Sequence, residues 1–299
     1  MPHRLIALLC LLLLLDAGTV WAQQPQPDRA RPPARPITSR DVVYAPRDTG
    51  DLKLDFYLPR GPGPFPVVIW VHGGGWLEGN RDNPPGTALL ARGFALVSID
   101  YRLSQVAKFP AQIDDMKDAV RFLRANAEKY NLDPTRFAAW GGSAGGHLVS
   151  LLAGDIHSDD TTKVQAVIDF FGPADFTGNW PGNGDTAVAR LLGKTPSADP
   201  ALAKSASPVH RVHAAMPPVL IVHGDRDRVV PLSQSEQFRD AIQKVGGKVE
   251  MYVVKGGGHG AFNDPVVPQR VIAFLERELK PVASPPATSP AISPATQPR

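Results

Sequence analysis

Along residues 37–280 the chain alternates short, nearly continuous apolar runs with longer stretches whose apolar positions recur every three or four residues. The short runs, at 42–44, 52–58, 67–71, 95–99, 137–140, 164–170, 219–222 and 249–254, have the length and composition of buried strands. The longer stretches, at 111–130, 144–153, 234–245 and 266–280, predict helices. In the first of them Ile113, Met116, Val120 and Leu123 share one face, which predicts packing against a core. Asp114, Asp115 and Asp118 are expected on the solvated face of that helix. Strand-like and helix-like stretches in alternation predict an α/β fold: a mostly parallel eight-stranded sheet with helices on both faces. At 299 residues and 43% hydrophobic content, the chain can bury one large core, and 37–280 is expected to form a single domain.

The two ends follow other patterns. His3 and Arg4 precede an apolar run from Leu5 to Leu15, and Val20-Trp21-Ala22 follows it. Residues 1–22 are therefore expected to be a secretory signal peptide, because the run is shorter than the roughly 20 residues that span a bilayer. The mature chain is then expected to be secreted or periplasmic, with no membrane attachment after cleavage. Cys10 is the only cysteine and lies within the removed run, so no disulfide is expected. Residues 23–36, rich in Pro, Gln and Arg, and 281–299, rich in Pro, Ser, Thr and Ala, cannot bury apolar surface and are expected to be disordered spacers.

Charge and motif content narrow the chemistry. The formal net charge is +3, and the basic residues are scattered apart from Arg29, Arg31 and Arg35, so no stripe suited to nucleic acid is present. There is no His-Glu-x-x-His, no paired-cysteine motif and no Gly-Lys-Ser/Thr phosphate loop, so neither a metal nor a cofactor is expected. His157-Ser158-Asp159-Asp160 reads as a surface loop.

What remains is a set of residues suited to nucleophilic catalysis. Gly141-Gly142-Ser143-Ala144-Gly145-Gly146 lies between the apolar run ending at Trp140 and the helix-like stretch that follows. This is the Gly-x-Ser-x-Gly elbow, which exposes a serine on a strained strand-to-helix turn. Upstream, the strand at 67–71 runs into His72-Gly73-Gly74-Gly75-Trp76, whose glycine N–H groups can approach an oxyanion without side chains in the way. Downstream, the strand at 219–222 leads to His223-Gly224-Asp225-Arg226-Asp227, and the strand at 249–254 to Gly256-Gly257-Gly258-His259-Gly260. His259 is the only histidine beyond the acid loop. His147 reads as a structural hydrogen-bonding residue, and His223 as the end of its strand, bracing the loop. Asp225 and Asp227 both qualify as the acid. Asp225 is well placed to bond its own turn backbone, whereas Asp227 lies further out, where a carboxylate reaches an imidazole N–H.

The order serine, acid, histidine resembles that of α/β-hydrolases of the carboxylesterase group, which includes hormone-sensitive-lipase-like esterases and bacterial acetyl-xylan and feruloyl esterase-like enzymes. The matching residues are 72–79, Asp100-Tyr101-Arg102, 141–147, 223–227 and 258–260. The resemblance implies the α/β-hydrolase fold, with Ser143 as nucleophile, Asp227 as acid and His259 as base. It also implies an oxyanion hole from the N–H groups of Gly74, Gly75 and Ala144. The compact spacing is closer to the feruloyl and acetyl esterase-like branch than to large-cap lipases.

Residues 175–209, between the sixth strand and the acid strand, are expected to form a small lid insertion, with Trp76 and Trp180 as pocket walls. The expected partner is a small-molecule or polysaccharide-linked ester of a short-chain or aromatic acid. A serine peptidase or amidase on the same fold, prolyl-oligopeptidase-like or formamidase-like, is the alternative, and a catalytically dead binding module the third. Nothing in the sequence specifies an oligomeric state.

Overall fold

The computed structural model describes residues 38–155, 159–178, 184–260 and 262–279, all within Pro36–Arg299, one of the two units into which the chain divides. The expected signal peptide, linker and tail, together with His157 and Trp180, lie outside the described residues.

Eight strands form one sheet: β1 (Ser39–Ala45), β2 (Leu52–Tyr57), β3 (Phe65–Val71), β4 (Ala95–Ile99), β5 (Leu132–Gly142), β6 (Ala166–Phe170), β7 (Val219–Gly224) and β8 (Val249–Val254). Their order is β1-β2-β4-β3-β5-β6-β7-β8, and only β2 runs against its neighbours. From β3 the chain steps to β4 on one side and then to β5 on the other. The loops after β3 and β5 therefore diverge at a topological switch point, where open α/β sheets bind ligands.

Side-chain alternation gives each sheet face its own core. Val67, Ile69 and Val71 join one cluster with α1 (Ala111–Ala125), α2 (Ala144–Ala153) and α5 (Leu232–Lys244), through residues such as Met116, Leu148 and Phe238. Val68, Leu96, Ile168 and Leu220 join the other with Phe274 and Leu275 of α6 (Val266–Leu279). The first helix stops at Ala125 and not at Tyr130.

One expectation about α1 is corrected. Asp114 is exposed, but the Asp115 side chain is wholly buried and pairs with Arg102 Nη2 at 2.7 Å and Arg47 Nη2 at 3.1 Å. Asp118 is partly buried against Arg47 and Arg121. Asp115 also accepts the Arg102 backbone N–H at 2.9 Å, so several donors compensate the loss of hydration that would otherwise exclude a carboxylate from a core.

The connection between β6 and β7 contains α3 (Gly184–Leu192), α4 (Pro200–Ser205) and short 3-10 turns at Pro196–Ala198 and Pro208–His210. Leu191 and Leu192 are buried. The Asp199 side chain caps α4 by accepting the Leu202 N–H at 3.0 Å. Phe109 N–H donates to Leu191 O at 2.9 Å, and Lys108 Nζ to Arg190 O at 2.9 Å, fixing α3 to the loop before α1.

Candidate active site

Four loops meet beyond the carboxyl ends of β3, β5, β7 and β8. Ser143 joins β5 to α2 with φ 55° and ψ −118°, a left-sided conformation that costs a non-glycine residue about 1–3 kcal/mol. Its N–H donates to Phe170 O at 2.8 Å and its carbonyl accepts from His147 N–H at 2.9 Å, so β6 and α2 hold the turn from both sides. At Gly145 a Cβ would collide with the carbonyl oxygens of Val71 and His72. Only glycine lets the elbow helix lie this close to the end of β3.

The loop after β3 reaches the elbow from that side, since a Cβ at Gly73 would lie 2.9 Å from Gly142 O and 3.4 Å from Ser143 Cβ. Gly74 has φ 101°, and its carbonyl accepts from Leu77 N–H at 3.0 Å and Glu78 N–H at 3.1 Å. That tight turn leaves the N–H groups of Gly74 and Gly75 without an acceptor among the described residues. Ala144 opens α2, where the helix supplies no acceptor for its N–H. A Cβ at Gly75 would lie 3.7 Å from Ala187 Cβ, so α3 borders the same loop.

The serine, histidine and Asp227 are brought together. His259 Nε2 lies 2.9 Å from Ser143 Oγ, and His259 Nδ1 2.7 Å from Asp227 Oδ2. With Nδ1–H donating to the carboxylate, Nε2 carries the lone pair and accepts the serine hydroxyl. Asp227 Oδ1 accepts the N–H groups of Val229 at 2.8 Å and Val230 at 2.9 Å. Burial opposes the charge on Asp227, but hydrogen bonds from His223, His259 and these two amides outweigh it and hold the carboxyl well below the usual carboxylate range.

Asp225 is not brought to the histidine ring. Its Oδ1 accepts Gly256 N–H from the histidine loop at 2.6 Å, in place of the bond to its own turn expected from the sequence. Arg226 N–H donates to Gly257 O at 2.8 Å, so the acid and histidine loops are cross-linked through the backbone.

Aromatic rings support the site from behind. Phe171, with φ 45°, meets the His259 ring edge-on at 4.8 Å and Phe262 at 5.4 Å. Sequence reasoning did not single out Phe171; its only signal is its place directly after β6. Trp76, expected as a pocket wall, is 3% exposed and packs edge-on against His147 at 5.1 Å and Phe176 at 5.7 Å. His147 Nε2–H donates to Ala206 O at 2.8 Å, and burial pushes this imidazole down to about 4, so it is neutral. Asp169 lies wholly buried against α2, accepting Ser150 Oγ–H at 2.9 Å and Gly172 N–H at 2.8 Å. Burial raises its carboxyl to about 6, against the opposing pull of those two bonds. Among the described residues no group of three or more His, Cys, Asp or Glu side chains is placed to hold a metal ion.

A serine at a strained strand-to-helix turn over a mostly parallel sheet, with an acid and a histidine on the loops after later strands, defines an α/β-hydrolase. The BD-FAE family model matches residues 54–242, and the chain belongs to that family. Esterase LipC of Mycobacterium tuberculosis is 32% identical over 274 residues, which cover 82% of this chain and 66% of LipC. The chain thus spans just under two thirds of LipC, and 57% of Esterase LipQ from the same organism. Among solved structures, a truncated carbohydrate esterase from gut microbiota is similar with a TM-score of 0.74 and 31% identity, covering 82% of this chain and 97% of that one. Esterase 2 of Thermogutta terrifontis, phosphonylated by sarin, has a TM-score of 0.70 and 27% identity, covering 84% of this chain and 99% of that one. The same esterase is known with propionate and with butyrate bound.

Proposed function

We propose that this chain is a serine carboxylic ester hydrolase, in which Ser143 is the nucleophile, His259 the general base and acid, and Asp227 the orienting carboxylate. The observation that carries the reading is the continuous path from Ser143 Oγ through both nitrogens of His259 to Asp227 Oδ2, with links of 2.9 and 2.7 Å.

In the proposed reaction His259 Nε2 takes the hydroxyl proton as Ser143 Oγ attacks the ester carbonyl carbon. The carbonyl oxygen becomes an oxyanion held by the N–H groups of Gly74, Gly75 and Ala144. Collapse breaks the bond to the alcohol oxygen, which leaves with the proton from His259. Water then attacks the acyl-serine, giving its proton to His259, and a second collapse releases the acid and restores Ser143. Asp227, kept ionised by its donors, stabilises the imidazolium in both halves of the cycle.

The proposed substrates are short-chain or aromatic esters, including those carried on carbohydrate. The carbohydrate esterase relative supports the carrier, and the propionate and butyrate complexes of the T. terrifontis enzyme support the short acid. The helical insertion beside Gly75 acts as a small lid. A hydrolysis panel of acetyl, butyryl, ten-carbon acyl, feruloyl and peptide substrates tests this. Acetyl or butyryl esters are expected to be cleaved fastest, because each CH₂ left unburied forfeits ~0.8 kcal/mol. Rates that climb steadily with acyl length would overturn the small pocket, and a preference for peptides would overturn the esterase.

Export is part of the proposal, supported by the apolar run Leu5 to Leu15 and the Val20-Trp21-Ala22 that follows. N-terminal sequencing of the protein from its host is expected to begin at Gln23. An intact N-terminus in the cytoplasmic fraction would contradict it.

A further inference from the structure

His223 is wholly buried at the end of β7, two residues before the acid loop's first aspartate. Its Nδ1 lies 2.7 Å from Ser235 Oγ on α5, and its Nε2 lies 2.9 Å from Val230 O and 3.2 Å from Asp227 Oδ2. A carbonyl and a carboxylate both accept, so a hydrogen is on Nε2, and Nδ1 is held by the Ser235 hydroxyl. Asp227 Oδ2 therefore receives two imidazole N–H groups, one from His223 and one from His259.

We infer that His223, anchored by Ser235, is a positioning residue for the hydrolytic reaction: it fixes Asp227 Oδ2 where His259 needs it and shares that oxygen's negative charge. The inference rests on the proposed Ser143-His259-Asp227 reading and adds a second histidine to it. Backbone amides of Val229 and Val230 hold Oδ1 but leave the carboxylate free to pivot about that oxygen. His223 removes the pivot, because it reaches Oδ2 from β7 while its far nitrogen is tied to a different helix.

The shared oxygen has a second effect. A hydrogen bond donated by His223 draws charge from Oδ2 and weakens its hold on the proton at His259 Nδ1. Without that bond Asp227 holds the His259 imidazolium more tightly, and the acidic limb of the activity profile moves to higher pH. The groups that face the His223 ring are Asp227 and the Val230 carbonyl on the acid loop, Ser235 on α5, Phe171 after β6, and the carboxyl of Asp169 on β6, which acts on it through charge alone. Asp169 itself titrates near 6, so the profile is best read in an Asp169→Asn background as well.

The test is kcat and KM against pH, with a short-chain ester, for His223→Leu, His223→Gln and Ser235→Ala, each checked for folding by thermal unfolding. His223→Leu is expected to lower kcat about tenfold with KM within about twofold, and to raise the acidic limb by roughly half a pH unit. His223→Gln, whose amide N–H replaces Nε2–H, is expected to keep kcat within about threefold with the limb unmoved. Ser235→Ala frees the ring to turn and is expected to change kcat and the limb in the direction of the leucine variant. It decides the matter if the leucine variant does not fold. Folded His223→Leu and Ser235→Ala proteins with the parental kcat and pH profile overturn the inference, provided Ser143→Ala is inactive. An active Ser143→Ala protein overturns the underlying reading instead.

Discussion

Tyr101 stacks on His72 with ring centroids 4.3 Å apart, and its hydroxyl donates to the His72 carbonyl at 3.1 Å. Tyr101 lies just past the end of β4 and His72 just past the end of β3, so one buried side chain ties the exit of one strand to the first peptide of the loop that brings Gly74 and Gly75 to the elbow. Burial raises the phenol well above its ordinary range, and it remains a donor at every working pH. Tyr101→Phe keeps the stack and removes the donor. The expected cost is about 1 kcal/mol of stability and a loss of about three- to tenfold in kcat/KM. Ser143 is expected to be still labelled by a fluorophosphonate probe. Thermal unfolding, steady-state kinetics and the labelling yield check the three parts.

Ser143→Ala is expected to reduce ester hydrolysis by at least about a thousandfold. The turn is held by the Phe170 and His147 backbone bonds, which alanine keeps, so the melting temperature is expected to stay within a few degrees of the parent. Activity and unfolding measured on the same sample decide it. Retained activity in the folded variant would remove Ser143 from the reaction.

Asp227→Asn places one amide where two imidazole N–H groups already point. If the amide oxygen keeps the Val229 and Val230 N–H bonds, its NH₂ faces the donors His259 Nδ1 and His223 Nε2. Either the histidine tautomer reverses or the contacts break. A loss of about a thousandfold or more in kcat is expected. Asp225→Asn still offers an oxygen to Gly256 N–H and is expected to stay within about tenfold of the parent. A more impaired Asp225 variant would exchange the two roles.

Asp169 gives a pH-dependent stability of known sign. Its folded pKa of about 6 is above the unfolded value of 3.8, so the folded protein binds this proton more tightly than the unfolded chain does. That stabilisation is present below the unfolded value and lost as pH rises through the folded one. Asp169→Asn has no charge to bury; its oxygen can accept Gly172 N–H and its NH₂ can donate to Ser150 Oγ. The variant is expected to be more stable than the parent at pH 8, by up to ~3 kcal/mol, with the gain shrinking toward pH 4. Melting temperatures at the two pH values check it, and an equal difference at both would refute the titration.

The central strands were legible because their apolar runs are covered on both faces, and Val67 to Val71 or Val219 to Val222 could hardly be read otherwise. The order of the site residues was legible because the elbow needs glycine at fixed spacing. Asp115 was misjudged because its partners, Arg102 and Arg47, are 13 and 68 positions away, beyond what helical periodicity reports. The helices of the insertion were not foreseen, since α4 has only six residues and begins at a proline. Asp225 and Asp227 could not be separated by their own spacing. The difference lies in where β8 delivers its loop: Gly256 N–H meets one carboxylate and the His259 ring the other.

The glycine contact at position 145 has a practical consequence for anyone diversifying this enzyme. Because the elbow helix and the end of β3 meet backbone to backbone, with no side chain between Gly145 and the carbonyls of Val71 and His72, the spacing of Ser143 to the loop that carries Gly74 and Gly75 cannot be tuned by repacking. Libraries built at Gly145 or its contacts would return mostly inactive clones. Randomising α3 around Ala187 changes the wall beside Gly75 while leaving Ser143, Asp227 and His259 in register, and the proposed acyl preference is best altered there.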